Sequence, residues 1–158
     1  MRFTLIKNVK RDKAMKPILN ALLLFILLYI PFDIFVKSHT IGISTVTLIS
    51  TLYGNADEFI DPINQSVFLE FIHMQIFFLM MILLTLSAIY IRLLSHKSNT
   101  LLAINLLMGF AFVTPLTLFL SYFYTNEFVK IYLFSFFAWH LIALFITLRS
   151  LWELNFVK

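Results

Sequence analysis

Runs of apolar residues divide this chain into four segments, each long enough to cross a lipid bilayer. At roughly 1.5 Å of rise per residue, about 20 helical residues span the hydrocarbon core. We therefore predict an all-α, polytopic four-helix membrane bundle in a single domain. Its elements are a basic arm at 1–16, spans at about 17–36, 67–92, 101–123 and 129–149, and an outer loop at 38–60.

The second segment is the longest, and polar residues precede its apolar run. Asp61 followed by Pro62 is typical of a helix start, with an acidic N-cap and proline at the first helical position. A helix that starts there has turns to spare, which places Glu70 at the outer membrane surface and His73 about one turn deeper. The two side chains share a helix face, and lipid solvates neither well. We therefore expect that face to turn into the bundle or beneath the outer loop.

Two stretches outside the spans have enough apolar residues to be structured. In the outer loop, 44–53 predicts a short helix lying flat on the outer leaflet, although 40–44 could equally be extended. Its apolar face would comprise Val46, Ile49, Leu52 and Tyr53, and Gly54 would end it. The aromatic tail after Arg149 is expected to lie along the inner interface.

Composition supports a membrane location, because 61% of the residues are hydrophobic and only 13% are charged. A soluble domain could not bury so much apolar surface. The absence of cysteine excludes disulfides, iron–sulfur clusters and covalent c-type haem.

The net charge of +4 follows membrane topology rather than a nucleic-acid surface. Ten of the twelve Lys and Arg residues fall on the side of the two termini, and only Lys37 and Lys130 fall on the other. This positive-inside bias predicts that both termini are cytoplasmic. We expect a multi-pass protein of a bacterial inner (plasma) membrane, with lipid and other membrane subunits or a second copy as partners.

Polar residues within the spans predict three local features. Asp33 and Lys37 are four residues apart, which predicts a surface ion pair closing the first helix, with an ion or proton site at Asp33 as the alternative. Asn20 and Asn105 have similar depths near the cytoplasmic face and are predicted to hydrogen-bond across the first and third spans. Pro115 should kink the third span, with neighbouring threonines replacing the lost backbone hydrogen bond.

Three histidines are candidates for cofactor chemistry. A b-type haem could be held by His73 together with His140 or His39, with Glu70 accepting a hydrogen bond from His73. The depths of His73 and His140 differ by ten residues, roughly 15 Å, when counted from the inner arginines. Counted from the outer side, they differ by only three residues, roughly 5 Å.

The same residues allow other interpretations. Glu70, His73 and His39 could together supply three ligands to zinc or another metal. Without a cofactor, His73 would hydrogen-bond Glu70 or a neighbouring helix, and His140 would make a buried polar contact beside Trp139.

No nucleophile elbow, phosphate loop or catalytic-triad spacing occurs in the chain. We therefore interpret the protein first as a non-enzymatic accessory or assembly subunit of an inner-membrane system, with no predicted cofactor. One alternative is a redox component binding b-type haem. Another is a small transporter or channel subunit using Pro115 and His140, although the inverted repeat of carriers is missing.

The charge bias gives a direct test of orientation. A reporter that is active only in the cytoplasm should work when fused after Lys158 and should fail when inserted near Asn55, because ten of twelve basic residues lie on the side of the termini. Reporter activity is measured relative to the amount of membrane-inserted protein. The reverse pattern would overturn the topology.

Overall fold

A computed structural model describes residues 14–94 and 99–157, and within these ranges the chain is all-helical. The α-helices are α1 (Met15–Thr40), α2 (Thr45–Tyr53), α3 (Gln65–Leu94), α4 (Thr100–Phe123) and α5 (Phe128–Asn155), with a short 3-10 turn at Ala56–Glu58. Helices α1, α3, α4 and α5 are long and apolar enough to cross a membrane, which confirms the number and order of the predicted spans. Most of the predicted basic arm lies outside the described residues.

Consecutive spans run in opposite directions, so the bundle has two distinct ends. The terminal end contains the start of α1, the end of α3, the start of α4 and the end of α5. The loop end contains α2 and the starts of α3 and α5. Each end has its own cluster of buried apolar side chains. The cluster at the terminal end includes Leu23, Leu86, Leu107 and Trp139, and that at the loop end includes Leu48, Phe68, Leu118 and Phe136.

Near the boundary of these two clusters, each of the four spans contributes a polar residue. Gln75 lies between Ile72 of the loop-end cluster and Leu79 of the terminal-end cluster, and Thr114 lies between Leu118 and Ala111 of the same two clusters. Asp33 and His140 follow Ile30 and Trp139, which both belong to the terminal-end cluster. We call Asp33, Gln75, Thr114 and His140 the polar layer. Of these, Gln75, Thr114 and His140 are buried, and the Asp33 side chain is 11% exposed.

The start of α3 differs from the prediction. Asp61 is exposed in the loop, and the helix begins at Gln65. The side chain of Asn64 accepts hydrogen bonds from the amide of Ser66 at 2.9 Å and from its hydroxyl at 2.8 Å. An amide oxygen at this position satisfies a backbone N–H that has no partner within the helix, so Asn64 takes the capping role expected of Asp61.

The short helix predicted at 44–53 is confirmed as α2, and its predicted apolar face is correct only in part. Ser44 and Thr47 form a reciprocal capping box at its start, and Gly54, with φ of 83°, ends it as predicted. Leu52 of the predicted face is buried and Ile49 packs against the loop-end cluster, whereas Val46 is 76% exposed. Leu48 and Ser50, which were not predicted to face inward, are also buried. The cause is that α2 packs against the end of the bundle, where Leu48 and Leu52 join the apolar cluster of the loop end.

The hydroxyl of Tyr53 anchors α2 to α4. It donates a hydrogen bond to the carbonyl of Ser121, and partial burial raises its pKa. Since a raised pKa keeps the hydroxyl protonated, this donor persists at neutral and mildly alkaline pH.

The aromatic tail after Arg149 forms the last part of α5, which continues without a break to Asn155. Its position at the inner interface stays a prediction. Leu154 is buried in the apolar cluster of the terminal end, so packing against the bundle keeps this segment helical.

The predicted Asn20–Asn105 contact is also wrong. Asn20 exchanges two side-chain hydrogen bonds with Asn155, at 3.2 and 2.8 Å, while Asn105 is exposed on α4. The longer α5 explains the difference, because its last turn brings a third asparagine to the depth of Asn20.

Helix α4 continues through Pro115. The hydroxyls of Thr114 and Thr117 donate to backbone carbonyls one turn earlier, those of Phe110 and Val113, each at 2.8 Å. Neither is the carbonyl four residues before Pro115, so the threonines do not replace the bond that the proline removes. The kink itself stays a prediction.

The asparagine pair predicts a specific stability effect. Asn155→Ala should lower the free energy of unfolding in detergent by about 0.6 kcal/mol, the average for a polar contact between membrane helices. Asn105→Ala, which alters an exposed amide, is the matched control and should have a smaller effect. An equal loss in both variants would contradict the assignment.

Candidate functional site

The most polar part of the bundle interior is a cluster that joins α1 to α5. Asp33 Oδ2 accepts a hydrogen bond from Lys37 Nζ at 2.7 Å and shares another with His140 Nε2 at 3.0 Å. Asp33 Oδ1 accepts one from the hydroxyl of Tyr29 at 3.0 Å. The Asp33 carboxylate therefore contacts three polar side chains. Tyr29 and Lys37 lie four residues before and after it on α1, and His140 lies on α5. We call Tyr29, Asp33, Lys37 and His140 the Asp33 cluster.

The predicted ion pair between Asp33 and Lys37 is confirmed, but its predicted position at the surface is wrong. Lys37 is only 4% exposed, and its ammonium lies 5.0 Å from the centre of the Phe136 ring. Helix α1 runs to Thr40, one turn beyond the predicted end, so Lys37 lies within the helix instead of closing it. The loop-end cluster then covers this region of α1.

His140 uses both of its ring nitrogens. Nδ1 lies 2.7 Å from the carbonyl oxygen of Phe136, and Nε2 bonds Asp33. The ring is 2% exposed and packs 3.9 Å from the Trp139 ring, centroid to centroid. The predicted buried polar contact beside Trp139 is confirmed.

A haem ligand requires a ring nitrogen that can bind iron. Because both nitrogens of His140 are hydrogen-bonded, His140 does not fit that role in this conformation. His73 is exposed on α3, so the two histidines have different environments.

The Glu70–His73 face of α3 was predicted to turn inward, and this prediction is wrong. Both residues are exposed. The buried stripe of this part of α3 runs instead through Phe68, Ile72 and Gln75, at helical spacings of three and four residues. Glu70 and His73 lie between the members of this stripe and therefore face away from the bundle.

The third histidine of the metal hypothesis, His39, is exposed and packs edge-on against Phe35 at 4.7 Å between ring centres. Within residues 14–94 and 99–157, no group of three His, Asp or Glu side chains is placed to hold a metal ion. The structure therefore does not bring Glu70, His73 and His39 together.

The sequence interpretation did not predict that buried polar atoms would lack hydrogen-bond partners. Gln75, Tyr132 and Trp139 have polar side-chain atoms that make no hydrogen bond within the described part of the chain. Gln75 belongs to the polar layer, and Tyr132 interacts electrostatically with Asp33. The burial of Gln75 could have been predicted from its helical spacing to Phe68 and Ile72, which places its amide on the same stripe as two large apolar residues.

The fold and the cluster together define a class, a four-span helical membrane protein with a buried Asp–Lys–His contact between its first and last spans. No protein-family model, curated protein or solved structure matches this chain.

The Asp33 cluster predicts that removing only one charge of the Asp33–Lys37 pair will lower the stability of the protein. Asp33→Leu should lower the free energy of unfolding by about 3–5 kcal/mol, because it leaves the buried Lys37 ammonium without its partner. The double variant Asp33→Leu with Lys37→Met should recover part of this loss, because it removes both charges of the pair.

Denaturation of the purified protein in detergent measures both effects. Glu70→Gln, which alters an exposed carboxylate, is the control and should unfold like the unaltered protein. A double variant less stable than Asp33→Leu would show that the pair does not act as a unit.

Proposed function

We propose that this protein is a non-enzymatic accessory or assembly subunit of an inner-membrane system, and that it binds another membrane helix at the outward face of α4. The observation that carries the proposal is the pair Asn105 and Gly109. They are four residues apart, so they share a helix face, and both are exposed.

Gly109 has no evident role in packing this chain. A Cβ atom built on it would meet no heavy atom within 4 Å. Glycine within a helix costs about 1 kcal/mol relative to alanine. On the outer face of a membrane helix, a small residue allows the backbone of a second helix to approach closely.

Asn105 supports the same conclusion. Its amide is exposed on α4 and makes no side-chain hydrogen bond among the described residues. Amide side chains stabilise contacts between membrane helices because lipid offers them no hydrogen bonds. A partner helix lying over Gly109 would bring its polar groups within reach of Asn105.

An apolar groove of about 550 Å³ between α3 and α4 continues this surface. Met80 and Met108 line it together with Phe112, which is on the turn after Gly109. Methionine side chains adapt to irregular neighbours, which suits a surface that accommodates another helix.

The orientation that we propose has both termini in the cytoplasm. Lys16, Arg92 and Arg149 lie towards the terminal end, and three acidic residues of the outer loop lie at the loop end, Asp57, Glu58 and Asp61. This distribution supports the positive-inside orientation.

Substitutions on α4 test the proposal. Gly109→Leu should abolish binding of the partner helix by steric exclusion, and Asn105→Leu should weaken it by removing the amide. Neither should unfold the protein, because the space beside Gly109 is open and Asn105 is exposed. Leu28→Phe adds bulk to an exposed position of α1 and is the matched control.

A photo-crosslinking residue at Phe112, which is 70% exposed, identifies what lies against this face in native membranes. The expected adduct is a membrane protein that disappears with Gly109→Leu and persists with Leu28→Phe. An adduct of twice the chain mass would identify a second copy as the partner. Lipid adducts alone, unchanged by either α4 substitution, would overturn the proposal.

A further inference from the structure

The hydrogen bonds of His140 determine how many protons it shares with Asp33. The Phe136 carbonyl can only accept, so Nδ1 at 2.7 Å must carry a proton. The 3.0 Å contact between Nε2 and Asp33 Oδ2 also requires a proton between its two atoms. Whether this proton is on nitrogen or on oxygen, the pair holds one proton more than a neutral imidazole beside a carboxylate.

We propose that Asp33 and His140 form an intramembrane proton-binding site whose protonated form joins α1 to α5. A neutral imidazole has a single N–H group. After proton loss, His140 can therefore donate to the Phe136 carbonyl or to Asp33, but not to both. The other contact would place two acceptors against each other.

Proton loss acts on the contact between helices rather than on Asp33 alone. Tyr29 and Lys37, the other donors to Asp33, belong to the same helix as Asp33. His140 is the donor from α5. The contact of Nδ1 with the Phe136 carbonyl is the shorter one, 2.7 Å against 3.0 Å for Nε2 with Asp33. If the remaining proton stays on Nδ1, α1 keeps its internal bonds to the carboxylate and the bond that crosses to α5 is lost.

Few other ionisable groups face the site. From α1 these are Tyr29 and Lys37, and from α5 Tyr132. Helices α2 and α4 contain no Asp, Glu, Lys, Arg or His. On α3, Glu70 and His73 are exposed, and Arg92 belongs to the last turn at the terminal end.

The site is closer to the loop end. Asp33 is seven residues before the end of α1, about 10 Å along the helix, and its side chain is 11% exposed. Its partner Tyr29 lines an apolar groove of about 460 Å³ between α1 and α3, which lies on the terminal side of Asp33. The site itself does not depend on the α4 docking function.

The protonation state can be read directly by nuclear magnetic resonance. Replacing His39, His73 and His96 by Gln leaves His140 as the only histidine and leaves the Asp33 cluster intact. In protein labelled with ¹⁵N-histidine and held in nanodiscs, both ring nitrogens should be protonated at low pH or share a proton with Asp33, and one proton should be lost as the pH rises. Nitrogen shifts typical of a neutral imidazole at every pH at which the protein is folded would overturn the proposal.

A second measurement tests whether the proton controls the packing of α1 on α5. The chain has no native cysteine, so spin labels can be attached at Thr40→Cys and Lys130→Cys, two exposed positions at the loop end. The distance distribution should be narrow at low pH and should broaden as the pH rises, because the bond between the helices is then lost.

His140→Gln should remove this pH dependence, since its amide donates to Asp33 without titrating. His73→Gln changes an exposed histidine and should retain it. Two results would contradict the proposal. One is a spin-label distance distribution that does not change with pH when His140 is present. The other is the same change with pH in His140→Gln.

Discussion

Burial of charge at Asp33 is the constraint that organises the loop half of this bundle. In the membrane interior, an unpaired ion costs several kcal/mol, so Asp33 and Lys37 cannot be buried unless they are paired. Their pair is within one helix and could exist in any arrangement of the spans. The bond from His140 is different, because it exists only when α1 and α5 have one relative rotation and one relative depth.

Apolar packing alone does not set that depth. Lipid tails are as apolar as leucine, so sliding one membrane helix along another changes the hydrophobic free energy little. Polar contacts provide the register. The Asp33–His140 bond joins α1 to α5 in the polar layer, and the Asn20–Asn155 bonds join them again near the terminal end. The two contacts are thirteen residues apart on α1, about 20 Å, which restricts tilt as well as depth.

The two proposed sites involve different neighbours of α5, with α1 at the proton site and α4 at the docking face. This helix contacts both α1 and α4, so it lies between the proton site and the face that contains Gly109. A change in how α1 packs on α5 would alter the support of α4. This shared helix offers a physical path for coupling between the two sites.

The sequence by itself determined the features that depend on neighbouring residues: the four spans, the Asp33–Lys37 pair and the helix stop at Gly54. Only the tertiary structure decided which sides of the helices face inward, because these spans have apolar residues on every side. Glu70 and His73 were therefore predicted to face the wrong way. The bonds of Asp33 and Asn20 to α5 join residues 107 and 135 positions apart, and such pairs depend on helix depth and rotation, which no local pattern contains.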